Sequence, residues 1–321
     1  MAISVAILAL AVITGFTSWK FIAGTSPEDS CAHISEDGRI SDALGDGYKP
    51  DMNCSELGAA IEKATLGDGR EHHSQEQAQA MKNVLLAISD EIEQRKSFSM
   101  SPDLGRPVAT ALAGYVVDTN AILRGTEVEY ARHILPSAPV WQEDDGYRLS
   151  IPSDYLARVM RAASEDPEAY ARLRMADSEY VAEQLSRIPR DAGPTAAGTP
   201  QVFSPSIGAL DAIASHVLQE RERSEADDWL NAVSDELLKD SVTPPAFKDA
   251  PAKHLVESWK HGLRAVQKEE RRSYLEQQAV DMVATWGKAR GMKSQDLGKL
   301  LASCGQASDS GRHQVLRGLK E

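Results

Sequence analysis

Residues 2 to 23 contain one charged side chain, Lys20, and the run from Ala2 to Trp19 contains none. A bilayer core takes about 20 apolar residues of helix. The segment therefore predicts a single membrane-crossing helix. Its far end, Trp19, Lys20 and Phe21, has the aromatic and snorkelling cation of an interfacial anchor. A cleaved export signal is the main alternative. It fits less well, because no Lys or Arg precedes the apolar run and Phe21 occupies the −3 position of the cleavage site that would end at Ala23. The sequence thus predicts a retained anchor and a single-pass location in a cell membrane.

The rest of the chain is acidic. The whole chain of 321 residues carries a net charge of −13, which argues against DNA or RNA as a partner, since phosphate binding needs a basic footprint. Aromatic residues make up only 6%. Abundant Ala, Leu, Glu and Gln favour packed helices over sheets, so an all-α fold is expected.

Cys31 and Cys54 bracket a Gly- and Asp-rich stretch, and a disulfide between them would pin a loop with little core of its own. Three unrelated thiols, with Cys304 as the third, is the competing interpretation. Orientation depends on opposed signals. Lys20 favours a cytoplasmic body under the positive-inside rule, whereas a disulfide favours an exterior one. The expectation adopted is an exterior body.

Hydrophobic spacing and cap signals divide the remainder. Residues 24–53 are expected to be a polar tether or disulfide loop. An α-helical domain is expected over 54–190. Its clearest helix is 75–96, capped by Ser74, with Ala78, Met81, Val84, Leu85, Ile88 and Ile92 on one face. Ser101-Pro102-Asp103 starts a helix to about residue 124, Ser153 another, and Asp166-Pro167 a third to about 188. A short helix is expected over 128–135, then an irregular stretch with one extended piece near Tyr147–Ile151. Residues 191–204 have the Pro, Gly and Thr content of a linker. Two long helices, 205–241 and 252–289, are expected to form an antiparallel hairpin, with two short helices after it broken around Gly305 and Gly311.

No constellation carries chemistry. His72-His73 is expected on an exposed loop without further metal ligands. His254, Glu257 and His261 share a predicted helix face but miss the His-Glu-x-x-His spacing of a zinc site. Asp37, Asp42 and Asp46 do not match a calcium loop. Glu220–Arg223 and Glu269–Arg272 predict solvated helix faces. Nucleophile-elbow and phosphate-loop motifs are absent. No catalytic, metal or cofactor residue is assigned, and no cofactor is expected.

HSQEQAQAMKNVLLAISDEI (73–92), GRPVATALAGYVVDTNAIL (105–123), IPSDYLARVMRAASEDPEAYARL (151–173) and EYVAEQLSRIP (179–189) resemble a helical domain of large actinobacterial proteins tied to secretion, export and toxin delivery. The resemblance covers residues 54–290 and brings no catalytic signature. It implies an export-linked or surface-associated bacterial protein. The expected function is a membrane-anchored helical binding or scaffold protein with another protein as partner. A helical hydrolase with a scattered site and an oligomeric membrane assembly are the alternatives.

Overall fold

Asn53 and Ser74 begin the two helices on which the N-terminal half is laid. Both close capping boxes, in which the cap side chain accepts the N–H three residues on and that residue's side chain returns to the cap N–H. Helix α3 then runs Cys54–Leu66 and α4 runs Gln75–Gln94. The computed structural model describes residues 27–67, 72–95, 98–189 and 199–320. The membrane helix predicted over 2–23, with Trp19, Lys20 and Phe21, lies outside the described residues. Among the described residues, no helix is long and apolar enough to cross a membrane.

The all-α expectation holds. Fifteen α-helices and one two-stranded ribbon make up the described residues. The polar tether or disulfide loop expected over 24–53 is corrected in part: the Cys31–Cys54 disulfide forms, but the stretch contains α1 (Pro27–Glu36) and α2 (Gly38–Leu44). Ile34, Ile40 and Leu44 from these helices are buried in the common core. Arg39 joins Asp37 of its own turn to Asp90 of α4, 2.7 Å away. Three buried apolar side chains and this bridge hold a stretch whose composition alone suggests a loop.

The helix expected from Pro102 to Arg124 is two: α5 (Pro102–Gly114) and α6 (Val116–Arg124). Tyr115 breaks it, at φ −97° and ψ 32°. Its ring is buried and stacks on His73 at 3.7 Å, and its hydroxyl donates to the Thr65 carbonyl at 3.0 Å. After α7 (Val128–Arg132), strands β1 (Trp141–Glu143) and β2 (Gly146–Arg148) pair antiparallel, Trp141 opposite Arg148. The extended piece expected near Tyr147 is therefore half of a short hairpin.

Helix α9 (Pro167–Arg187), preceded by α8 (Ser153–Ala163), is central. It touches α5, α6, α10 (Thr199–Gln219), α11 (Arg223–Leu238), α12 (Pro251–Ala265) and α14 (Gln278–Ala289). Helices before and after residues 190–198 share one hydrophobic core, reaching from Cys31 to Val315.

The long hairpin over 205–289 is corrected. The first predicted helix breaks between Gln219 and Arg223. The second breaks at Val266, and its remainder is α13 (Arg271–Glu276) and α14. Trp229 explains the first break: the turn lets it enter the core and donate to the Ser164 carbonyl at 3.1 Å. The C-terminal pair of short helices is instead one, α15 (Ser294–Gly318), packed along α10. Gly311, which resembles a helix breaker in the sequence, is a contact residue. A Cβ there would collide with the Pro205 carbonyl, and one on Gly208 would collide with the Ser308 carbonyl. The two backbones touch where side chains are missing.

Candidate functional site

Buried polar side chains converge on the interfaces that α9 makes with its neighbours. Tyr170, Arg174, Asp177 and Ser178 recur at helical spacing and are all buried. Arg174 is 0% exposed. Its Nη1 donates to Asp211 Oδ1 on α10 at 2.7 Å and to the Tyr170 hydroxyl at 2.6 Å. Its Nε donates to Gln278 on α14 at 2.9 Å, and its Nη2 to the Leu275 carbonyl at 2.5 Å. Gln278 in turn donates to Ser178 at 2.7 Å. One guanidinium thus ties four helical segments.

One turn along, Asp177 meets α6 and α10. Asn120 donates to Asp177 Oδ1 and to Ser206 Oγ, both at 2.8 Å, and Ser206 donates to Asp177 Oδ2 at 3.0 Å. A third group sits where α6 faces the hairpin. Asp118 Oδ1 accepts from the Tyr130 hydroxyl at 3.0 Å and from the Leu149 N–H at 3.2 Å. Arg148 lies 3.8 Å from Asp118 Oδ2, which has no hydrogen-bond donor of its own among the described residues.

Burial sets the electrostatics of all three aspartates. Removal from water raises Asp118 to about 7, against the attraction of Arg148. It raises Asp177 and Asp211 to about 6, opposed by the donors on each. Such carboxyls could act as general acids if they faced a substrate. They face one another's helices instead. The void beside Arg174 and Asp211 holds about 10 Å³, the size limit of one water.

Two wider grooves are open to solvent. One, of about 660 Å³, runs between α9, α11 and α12 past Glu168, Arg172, Glu179 and Lys260. The other, of about 590 Å³, lies between α4, α8, α10 and α15 and passes Arg95, Arg158, Arg161 and His216. The second groove's arginines are already paired with Glu91, Glu93, Asp154, Glu165 and Glu220.

Cys31 and Cys54 are bonded, with Cα atoms 5.3 Å apart, fastening α1 to the start of α3. Cys304 is a free, buried thiol. The expectation of an exposed His72-His73 pair is corrected for His73. It is 5% exposed, with Nε2 3.1 Å from the Gly114 carbonyl. Desolvation lowers its pKa. His254 Nδ1 sits 2.6 Å from the Pro245 carbonyl, while buried Glu257 accepts from the Val242 N–H at 2.8 Å and pairs with Lys260 at 3.3 Å. Of the shared polar face expected for His254, Glu257 and His261, His254 and Glu257 thus have separate partners and His261 is exposed. Among the described residues, no three His, Cys, Asp or Glu converge as metal ligands.

Sequence reasoning missed Asp118, Asn120, Arg174, Asp177 and Asp211. For one of them a signal existed: Asp211 is the lone carboxylate within the apolar run Ile207–Val217. Polar type by itself suggests an outward face, and here that inference fails.

No protein-family model, curated protein or solved structure matches this chain.

Proposed function

We propose that this chain is a membrane-tethered helical binding module, held on the outer face of a cell membrane by residues 2–23 and acting on another protein. The Cys31–Cys54 bond carries the reading. Disulfides persist on the oxidising side of a membrane. Cys31 comes eight residues after Ala23, and such a stretch extends at most about 28 Å. A body fastened at Cys31 is therefore kept close to the bilayer. Binding is favoured over catalysis because the most perturbed carboxyls join helices. The resemblance of residues 54–290 to export-associated actinobacterial domains favours a bacterial surface or toxin-delivery setting.

Alkaline carbonate extraction of membranes from cells making the full chain tests the anchor, and protease added to intact cells tests the side. The expected result is retention in the pellet with digestion of the body. Release into the supernatant, or a body protected until lysis, overturns the reading.

A further inference from the structure

The loop between α7 and β1 is unusual for this acidic surface. From Ile134 to Gln142 it carries no charge. Leu135 is 62% exposed and Ile134 38%, and Val128 on the adjoining α7 is 64% exposed. Single exposed apolar residues are ordinary. A cluster of three within eight residues, on a chain that is 26% charged, is less so.

The loop is also braced. His133 and Trp141 stack across its two ends at 4.4 Å, and Tyr130 meets Trp141 edge-on at 5.0 Å. Inside it, the Ala138 N–H donates to the Leu135 carbonyl at 2.9 Å, a turn with Pro136 at its second position. Pro139 stiffens the exit. From beneath, Lys82 of α4 reaches up with 0% exposure. Its ammonium donates to the carbonyls of Ala138 at 2.7 Å, Leu135 at 3.1 Å and His133 at 3.5 Å. Among the described residues, no carboxylate pairs with it at these distances, and desolvation alone lowers Lys82 to about 8. An unpaired buried ammonium is costly. The fold bears that cost to hold a solvent-facing loop in one shape, and rigid presentation reduces the entropy lost on binding.

Charge around the loop indicates what it meets. Glu127, Glu129, Glu143, Asp144 and Asp145 are exposed on its flanks, against Arg132 alone among exposed cations there. An acidic rim disfavours an anionic lipid surface. Position agrees. Helix α3 leads from the disulfide at Cys54 to Thr65, which accepts from Tyr115; Tyr115 stacks on His73, and the His73 carbonyl accepts from Tyr147 of β2 at 3.0 Å. The hairpin therefore lies at the far end of α3 from the Cys31–Cys54 bond, about 17 Å away along that helix.

We infer that the loop His133–Trp141, led by Leu135, docks into an apolar pocket with a basic rim on a partner protein. This rests on the membrane-tethered reading for its placement away from the bilayer. Carbonate extraction tests that reading separately from the docking experiment.

The test places photoreactive benzoylphenylalanine at position 139 of the full chain in native cells, with position 295, exposed on α15, as control. The expected result is an adduct with one discrete protein from 139 and not from 295. The crosslinked peptide of that protein should lie beside Lys or Arg. Adding Leu135→Asp should cut the adduct about tenfold or more, as for loss of an interface anchor, with an unchanged melting temperature. Higher salt should weaken it. Equal adducts at 139 and 295, adducts only with lipid or with a second copy of the chain, or no effect of Leu135→Asp would each overturn the inference.

Discussion

Arg174 and Asp211 form an ion pair of 2.7 Å that solvent does not reach, with side-chain exposures of 0% and 3%. Breaking a buried pair leaves one charge without compensation and costs about 3–5 kcal/mol. Arg174→Met should therefore cost that much in urea unfolding, and Asp211→Asn somewhat less because it keeps a polar acceptor. The double variant Arg174→Met, Asp211→Leu should recover much of the loss. A double variant no more stable than Arg174→Met alone would mean that Asp211 without Arg174 is no liability, as a buried carboxyl that takes up a proton would be.

Asp118 makes stability depend on pH. Its folded pKa of about 7 lies above the ordinary value of 3.8, so the folded protein holds this proton more tightly than the unfolded one. The stabilisation is complete below about pH 4 and is lost as pH rises through 7. Asp118→Asn keeps an acceptor for Tyr130 and Leu149 but cannot ionise. Relative to this variant, the wild type should lose stability between pH 4 and 8, by at most ~4 kcal/mol. A difference curve that is flat, or that rises, would count against a raised pKa at Asp118.

Lys82 should show the reverse dependence near the other end of the scale. Its folded pKa, about 8, lies below the ordinary 10.5. Its contribution is therefore fully present above 10.5 and is lost as pH falls through 8. Lys82→Met should remove this rise between pH 8 and 10. It should also loosen the loop whose carbonyls Lys82 holds, seen as faster amide exchange at Ala138, whose N–H bonds Leu135.

Opening the Cys31–Cys54 bond frees a 23-residue separation in the chain. The loop-entropy account gives about 3 kcal/mol for a closure of this size. Cys31→Ser with Cys54→Ser should lower stability by about that much, with exchange protection lost first in α1 and α2. Uniform loss across the body would show that these helices unfold only with the core.

Gly208 and Gly311 should tolerate no side chain. Gly311→Ala pushes a methyl into the Pro205 backbone, which cannot swing aside as a side-chain tip can. Overpacking of this kind costs about 1–3 kcal/mol. Gly305→Ala is the control, because a Cβ there would meet only Val280 at an ordinary 3.8 Å. It should be neutral or slightly stabilising in mid-helix.

Helix starts were legible because caps are local chemistry. Ser74, Ser101 and Asp166 each accept a backbone N–H at the position their types suggest. The pairing of Cys31 with Cys54 was a candidate for a similar reason, since the two bracket a stretch poor in core residues. Breaks were not legible. Tyr115 and Val266 interrupt good helical patterns, and at Tyr115 the cause is a hydrogen bond to Thr65, fifty positions away. Glycine misleads in the opposite sense: Gly311 suggests a breaker, yet it lets α15 run unbroken against α10.

The sequence by itself determined the helical class, most helix starts, the acidic surface and the apolar character of residues 2–23, because propensity, capping and charge act within a few residues. Asp211 apart, tertiary structure alone decided which polar residues face inward. Lys82, Arg174 and Asp118 carry the same charges as their solvated neighbours in the chain. Their roles come from carbonyls, hydroxyls and carboxylates that only folding brings within 3 Å or so. The same holds for the loop around Leu135, whose lack of charge is visible in the sequence but whose bracing by Lys82, His133 and Trp141 exists only in the folded chain.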